Sequence, residues 1–191
     1  EAVSYITGYK EFMSLDFKIE KGVLIPRPET ELLVENILDY CEENKIESPN
    51  IVEVGPGSGA IMVSLGPYLP DAKILGIDIS KKAVKLSRKN IKYHDLADRL
   101  KVNRGDLLNP LLKRNKNNVD IVVSNPPYIS EKEMEELPPE VKKEPDLALA
   151  GGEDGLEIYR KIIPQAHLVL KEGGLLALEI GYKQGNSLRK I

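Results

Sequence analysis

Ile51-Val52-Glu53-Val54-Gly55-Pro56-Gly57-Ser58-Gly59 is the stretch whose reading decides the fold. A short apolar run from Ile51 to Val54 is a buried strand. Three glycines in the next five residues turn the chain tightly, and a helix then runs from about Ser58 to Leu69. Glycine there permits positive φ and lets backbone approach a ligand, while a helix N-terminus presents free N–H groups to it. Gly55, Gly57 and Ala60 also satisfy the dinucleotide-binding spacing, whose third position tolerates alanine.

The texture on the C-terminal side repeats this unit. Strands are expected at 73–77, 100–103, 119–124 and, after a Gly173-Gly174 turn, 175–180, and helices at 80–93 and 155–170, with Ser80 as a cap. Alternating strands and helices imply a parallel sheet built by right-handed crossovers. On the N-terminal side the pattern reads as extended up to Ile25, with 12–19 and 23–25 as two strands of a hairpin turning at Lys21-Gly22. Pro26 to Glu31 opens a helix reaching about Ile46. Segment 129–154 reads mostly as loop. The expected fold is α/β: a doubly wound, mostly parallel, Rossmann-like sheet preceded by a β-hairpin. The expected division is 1–27 as hairpin and connector and 28–191 as the binding domain.

Composition narrows the function. The 191 residues carry a formal net charge of −3, and phosphate-binding surfaces are usually basic. No direct nucleic-acid partner is expected. Cys41 is the single cysteine, so no disulfide can form within the chain, and it falls in a helical pattern with Leu33, Ile37 and Leu38. His94 and His167 lack the clustered Cys and His that a zinc site needs, so no metal is expected. With no apolar run of membrane-spanning length and no signal-like start, a cytoplasmic protein without a membrane partner is the expectation.

Two aspartates extend the glycine loop. Asp78 ends the second strand, nineteen positions beyond Gly59, where a carboxylate can accept both hydroxyl hydrogens of a ribose. Asp106, after Gly105 and just past the third strand, is placed to meet the exocyclic amine of an adenine. These features describe a nucleoside-containing cofactor and leave NAD and S-adenosyl-L-methionine both open.

Asn125-Pro126-Pro127-Tyr128 separates them. The prolines impose a rigid extended exit from the apolar strand Val119–Ser124. In a doubly wound sheet this strand lies beside the first, so Asn125 falls near Gly55 and the cofactor. An amide or aromatic amine nitrogen is a weak nucleophile because its lone pair is delocalised. The Asn125 side-chain oxygen and the Pro126 carbonyl can each accept one of its N–H groups and aim it at the methyl of a sulfonium. Tyr128 can lie on the planar face of the target. A dehydrogenase has no clear use for Asn125 and lacks an evident His-based proton relay; a non-catalytic nucleotide-binding module stays open until methyl transfer is measured.

With these motifs the sequence resembles the release-factor glutamine N5-methyltransferases, the HemK or PrmC family. The similarity runs through Tyr5 to Phe12, Ile25 to Glu31, Gly55 to Gly59, Asn125 to Tyr128 and Leu149 to Tyr159. The resemblance implies a class I methyltransferase using S-adenosyl-L-methionine, with the glutamine of the Gly-Gly-Gln motif of a peptide-chain release factor as its target. By that match Gly55, Pro56, Gly57, Ser58 and Gly59 line the methionine part of the cofactor, Asp78 its ribose, and Asp106 and Leu107 its adenine. Asn125 and Pro126 grip the glutamine amide, with Pro127 holding the turn, Asn125 also beside the cofactor and Tyr128 on the amide face. Arg27 and Thr30 come near the cofactor. The family's N-terminal helical domain and the last strands of its sheet have no counterpart in these residues, which leaves the fifth strand at a sheet edge. Pro56 stands where the family commonly has threonine. A ribosomal-protein glutamine and a nucleic-acid adenine N6 or guanine N2 remain alternative targets. Against nucleic acid stands the acidic flank of Glu131, Glu133, Glu135, Glu136, Glu140 and Glu144, read as a solvated loop.

Overall fold

The computed structural model describes residues 3–112, 118–139 and 141–191. Glu140 of the acidic flank lies outside them. The chain opens with a short helix α1 (Val3–Thr7) and the antiparallel hairpin of β1 (Tyr9–Phe12) and β2 (Leu15–Lys18). A one-turn 3-10 helix at Pro28–Thr30 leads into α2 (Glu31–Glu43). The α/β part follows: β3 (Asn50–Val54), α3 (Ala60–Tyr68), β4 (Lys73–Asp78), α4 (Lys81–Tyr93), β5 (Leu100–Arg104) and β6 (Val119–Ser124). Two short helices, α5 (Glu131–Glu136) and α6 (Asp146–Leu149), precede α7 (Glu157–Val169), β7 (Leu170–Leu178) and α8 (Gly185–Leu188).

The five parallel strands run in the order β5-β4-β3-β6-β7. Strand order therefore reverses between β3 and β6, and the crevice at their carboxyl ends is where ligands of such sheets bind. Alternation along the strands explains the two-sided burial. Ile51, Ile74, Ile121 and Val123 face the core formed with α2, α3 and α4. Val52, Val54, Ile77 and Val122 face the core formed with α7 and the turn at Leu108–Leu111. Side chains of successive residues point to opposite faces, so a strand covered on both sides must be apolar throughout.

Three local expectations change. The hairpin turns at Met13-Ser14, not at Lys21-Gly22, and Val23–Ile25 forms no strand. Met13 and Ser14 both have positive φ, 50° and 57°. Such a two-residue turn suits the twist of the flanking strands, but neither residue type advertises it. Residues 3–7, expected to be extended, are helical. Gly173-Gly174 does not separate α7 from a strand starting at Leu175; β7 begins at Leu170 and absorbs the glycines where the β6–β7 register shifts.

Segment 129–154 is also more ordered than a loop. Ser130 caps α5 reciprocally with Glu133, the capping-box arrangement. A bridge between Ile129 and Ala150 ties the two ends of the segment to each other. Among the described residues β7 is the last strand on the β6 side. No helix of the described residues is long and apolar enough to cross a membrane.

Candidate active site

A cavity of about 220 Å³ opens at the carboxyl ends of β3, β4 and β6. Gly55, Pro56, Gly57 and Ser58 form one wall, and Asp78, Asp106 and Leu107 another. Ser124, Asn125, Pro126 and Pro127 close the far side, and Arg27 and Thr30 reach in from the start of α2. The strands position this set: Val54 pairs with Ile77 and with Ser124 at the strand tips, and the Ser124 hydroxyl donates to the Val54 carbonyl at 2.7 Å.

Gly55 leaves open space for a ligand, because a Cβ built on it would meet nothing within 4 Å. Asp78 is 8% exposed, and its two carboxylate oxygens accept from Gly57 N (3.1 Å) and Ser80 N (2.8 Å). Burial raises its carboxyl above the ordinary value, and the two backbone donors pull it back. Each oxygen keeps one lone pair for a hydroxyl from the cavity. The chain thus presents a gap beside the glycine loop and an acidic acceptor facing it. This acceptor and the gap beside it suit the ribose and methionine ends of S-adenosyl-L-methionine.

Two of the expected residues do not line this cavity. Gly59 caps α3 at φ +85°, with its Cβ position 3.4 Å from Ser87 Cα, so it serves the packing of α3 on α4. Tyr128 faces a second recess of about 410 Å³ that meets the first at Arg27 and Asn125 and is also lined by Glu29, Ile129, Leu149 and Glu179. The Tyr128 phenol is pushed up, chiefly by burial and then by the Glu179 carboxylate. Its backbone is held tightly. A Cβ on Gly155 (φ +74°) would lie 2.4 Å from the Tyr128 carbonyl, and one on Gly151 2.8 Å from Tyr128 Cα. Gln184 Nε2 donates to both the Tyr128 and Gly155 carbonyls. The Gly151–Gly155 turn is thus the bed on which the Asn-Pro-Pro-Tyr exit rests.

Sequence reasoning missed three carboxylates. Glu53 is 1% exposed in the apolar strand β3 and accepts from Met62 N in the first turns of α3 at 3.0 Å. Burial pushes its carboxyl up to about 8 against that backbone donor, with the Asp78 charge adding to the rise. An acid inside an apolar run just before the glycines was its only signal. Glu144, read as part of a solvated flank, is 5% exposed and pairs with Arg27 Nη2 at 2.5 Å. That ion pair ties segment 141–149 over the cavity, where Pro145, Leu147 and Ala148 add to the lining. Glu179 lies one residue past β7, its backbone N–H donating to the Ser124 carbonyl at 3.0 Å and its carbonyl accepting from Tyr159 Oη at 2.8 Å. No sequence pattern singles it out.

The sheet with reversed strand order, a glycine loop after its first strand and an acid after its second has the class I S-adenosyl-L-methionine methyltransferase fold. The same fold occurs in the human METTL16 N-terminal domain in complex with SAH, with a TM-score of 0.62 and 21% identity over 91% of this chain and 64% of that one. It occurs too in the ribosomal protein L11 methylase of Lactobacillus delbrueckii subsp. bulgaricus, with a TM-score of 0.61 and 19% identity over 90% of this chain and 70% of that one. At these identities the likeness concerns the fold alone.

The chain belongs to the methyltransferase small domain family, which matches residues 28–139. Release factor glutamine methyltransferases are similar over nearly all of it. That of Clostridium acetobutylicum is 48% identical over 190 residues, 99% of this chain and 66% of the relative; that of Moorella thermoacetica is 46% identical over 191 residues, 99% and 65%. The chain therefore spans just under two thirds of the length of these relatives.

Proposed function

We propose that this protein transfers a methyl group from S-adenosyl-L-methionine to the side-chain amide nitrogen of a glutamine, in the Gly-Gly-Gln motif of a peptide-chain release factor, in the cytoplasm. The observation that carries the reading is Asn125 at the junction of the two recesses, one fitted to a nucleoside cofactor and one bordered by Tyr128. The similarity to release factor glutamine methyltransferases supports the substrate.

In this reading residues 1–27 support a catalytic domain of residues 28–191. Gly55 to Ser58 take the methionine end of the cofactor, Asp78 the ribose, and Asp106 with Leu107 the adenine. The cofactor supplies an electrophilic methyl. The protein supplies orientation: Asn125 Oδ1 and the Pro126 carbonyl accept the two amide hydrogens, fixing the nitrogen in line with the methyl. Tyr128 covers the amide plane and limits water. After transfer the nitrogen is cationic and strongly acidic, so its proton leaves without a dedicated strong base.

The test is methyl transfer from radiolabelled S-adenosyl-L-methionine to a purified release factor and to the same factor with its motif glutamine changed to alanine. Label on the first and none on the second is expected. Equal label on both would refute glutamine as the target.

A further inference from the structure

An asparagine can serve as a substrate acceptor only if its amide is turned the right way, since the oxygen and the NH2 group occupy nearly the same space and differ only in hydrogen bonding. The neighbours of Asn125 decide the turn. Its Nδ2 donates to Thr30 Oγ1 at 3.1 Å, and the Thr30 hydroxyl donates to Glu179 Oε2 at 2.6 Å. Thr30 is 5% exposed, so this hydroxyl cannot trade its partners freely with water. The three residues come from the start of α2, the exit of β6 and the exit of β7.

We infer that Glu179 and Thr30 are positioning residues which hold the Asn125 amide with Oδ1 turned towards the target nitrogen. The inference rests on the function proposed above for its catalytic consequence. The logic is that of a one-way chain. An ionised carboxylate only accepts. Thr30 must therefore give its single hydrogen to Glu179, which leaves it only lone pairs for Asn125. Asn125 must then offer Nδ2 to Thr30, and to the Glu179 carboxylate beside it, and keep Oδ1 for the cavity. A donor in place of the carboxylate releases the constraint: the hydroxyl of Thr30 can turn to Asn125, and the amide can flip to present NH2, which repels an N–H.

The carboxylate sits among Arg27, Glu29, Tyr128 and Tyr159, and burial raises it above the ordinary range while the bonds from Thr30 and Asn125 lower it. Protonation of Glu179 puts a donor beside Thr30 and so releases the chain as a Gln substitution does. Any fall in rate towards acid should therefore flatten when Glu179 is replaced by Gln.

The experiment compares the full-length protein with its Glu179→Gln, Thr30→Val and double variants. Methyl transfer in a single turnover, cofactor affinity by calorimetry, and hydrogen exchange of the Asn125 side-chain amide by NMR are measured across pH 5–8. Each single variant is expected to lose at least tenfold in rate, and Glu179→Gln to do so with cofactor Kd within threefold. The double variant should be no slower than the slower single one, and any fall in rate towards acid should flatten in Glu179→Gln. In the wild type the Asn125 amide hydrogens should exchange slowly, and in each variant rapidly. A Glu179→Gln rate within twofold of wild type, multiplying losses in the double variant, or unchanged amide exchange would overturn the inference. A wild type that labels no glutamine while its Asn125 protection still depends on Glu179 would overturn the proposed substrate and leave the positioning chain supported.

Discussion

Glu53→Gln should make the protein more stable in alkali, because a buried acid with a raised pKa opposes folding once it must ionise. The carboxyl titrates near 8 in the folded protein, against an ordinary value of 4.5. Between those values the folded state holds a proton that the unfolded state has lost. Stability therefore falls as pH rises from about 5 to 8 and then levels. At about 1.4 kcal/mol for each pH unit of difference, the loss amounts to roughly 4–5 kcal/mol at its fullest. Glutamine has the shape of the neutral acid, keeps an oxygen for the Met62 N–H and never ionises. Urea unfolding at pH 5.5, 7 and 9 measures the effect. The wild type should weaken with pH while Glu53→Gln stays nearly level, the two being closest at pH 5.5 and differing by several kcal/mol at pH 9. Parallel pH dependences would show that Glu53 reaches solvent in the folded state and would refute the assignment of the rise to burial.

Asn125→Ala should slow methyl transfer by two or more orders of magnitude with cofactor affinity within a few-fold, measured by single-turnover labelling and calorimetry. Asp78→Ala should weaken cofactor binding roughly tenfold to a hundredfold, from loss of charge-assisted hydrogen bonds of about 1.5–3 kcal/mol, as read by calorimetric titration. Gly155→Ala should lower Tm and displace the Tyr128 segment, since the new Cβ would fall 2.4 Å from the Tyr128 carbonyl at a φ of +74°; nuclear magnetic resonance shifts at residues 125–128 check it. Arg27→Met should destabilise by about 1–3 kcal/mol by stranding the Glu144 carboxylate, and adding Glu144→Met should recover most of it; denaturant unfolding of the double-mutant cycle decides.

Local chemistry made much of this legible. Apolar runs of four to six residues before turn signals marked β3, β4 and β6, because strands covered on both faces must be apolar throughout. Ser80 marked α4 because a hydroxyl before a helix has an obvious use, and it accepts from Ala83 N as that use requires. The turn at Met13-Ser14 was missed because positive φ there is imposed by the pairing of β1 with β2, not favoured by either residue.

By itself the sequence determined the α/β architecture and most of the residues that line the cavity at the carboxyl ends of β3, β4 and β6, because periodicity, glycine and proline act on the chain nearby. Only the tertiary structure decided which carboxylates matter. Glu144 and Glu179 look like any other glutamate along the chain, and Glu53 differs only in standing inside an apolar run; what distinguishes them is burial and, for Glu144 and Glu179, a partner up to 149 positions away, as with Glu179 and Thr30. Desolvation and long-range hydrogen bonding are properties of the assembled fold, and no local pattern encodes them.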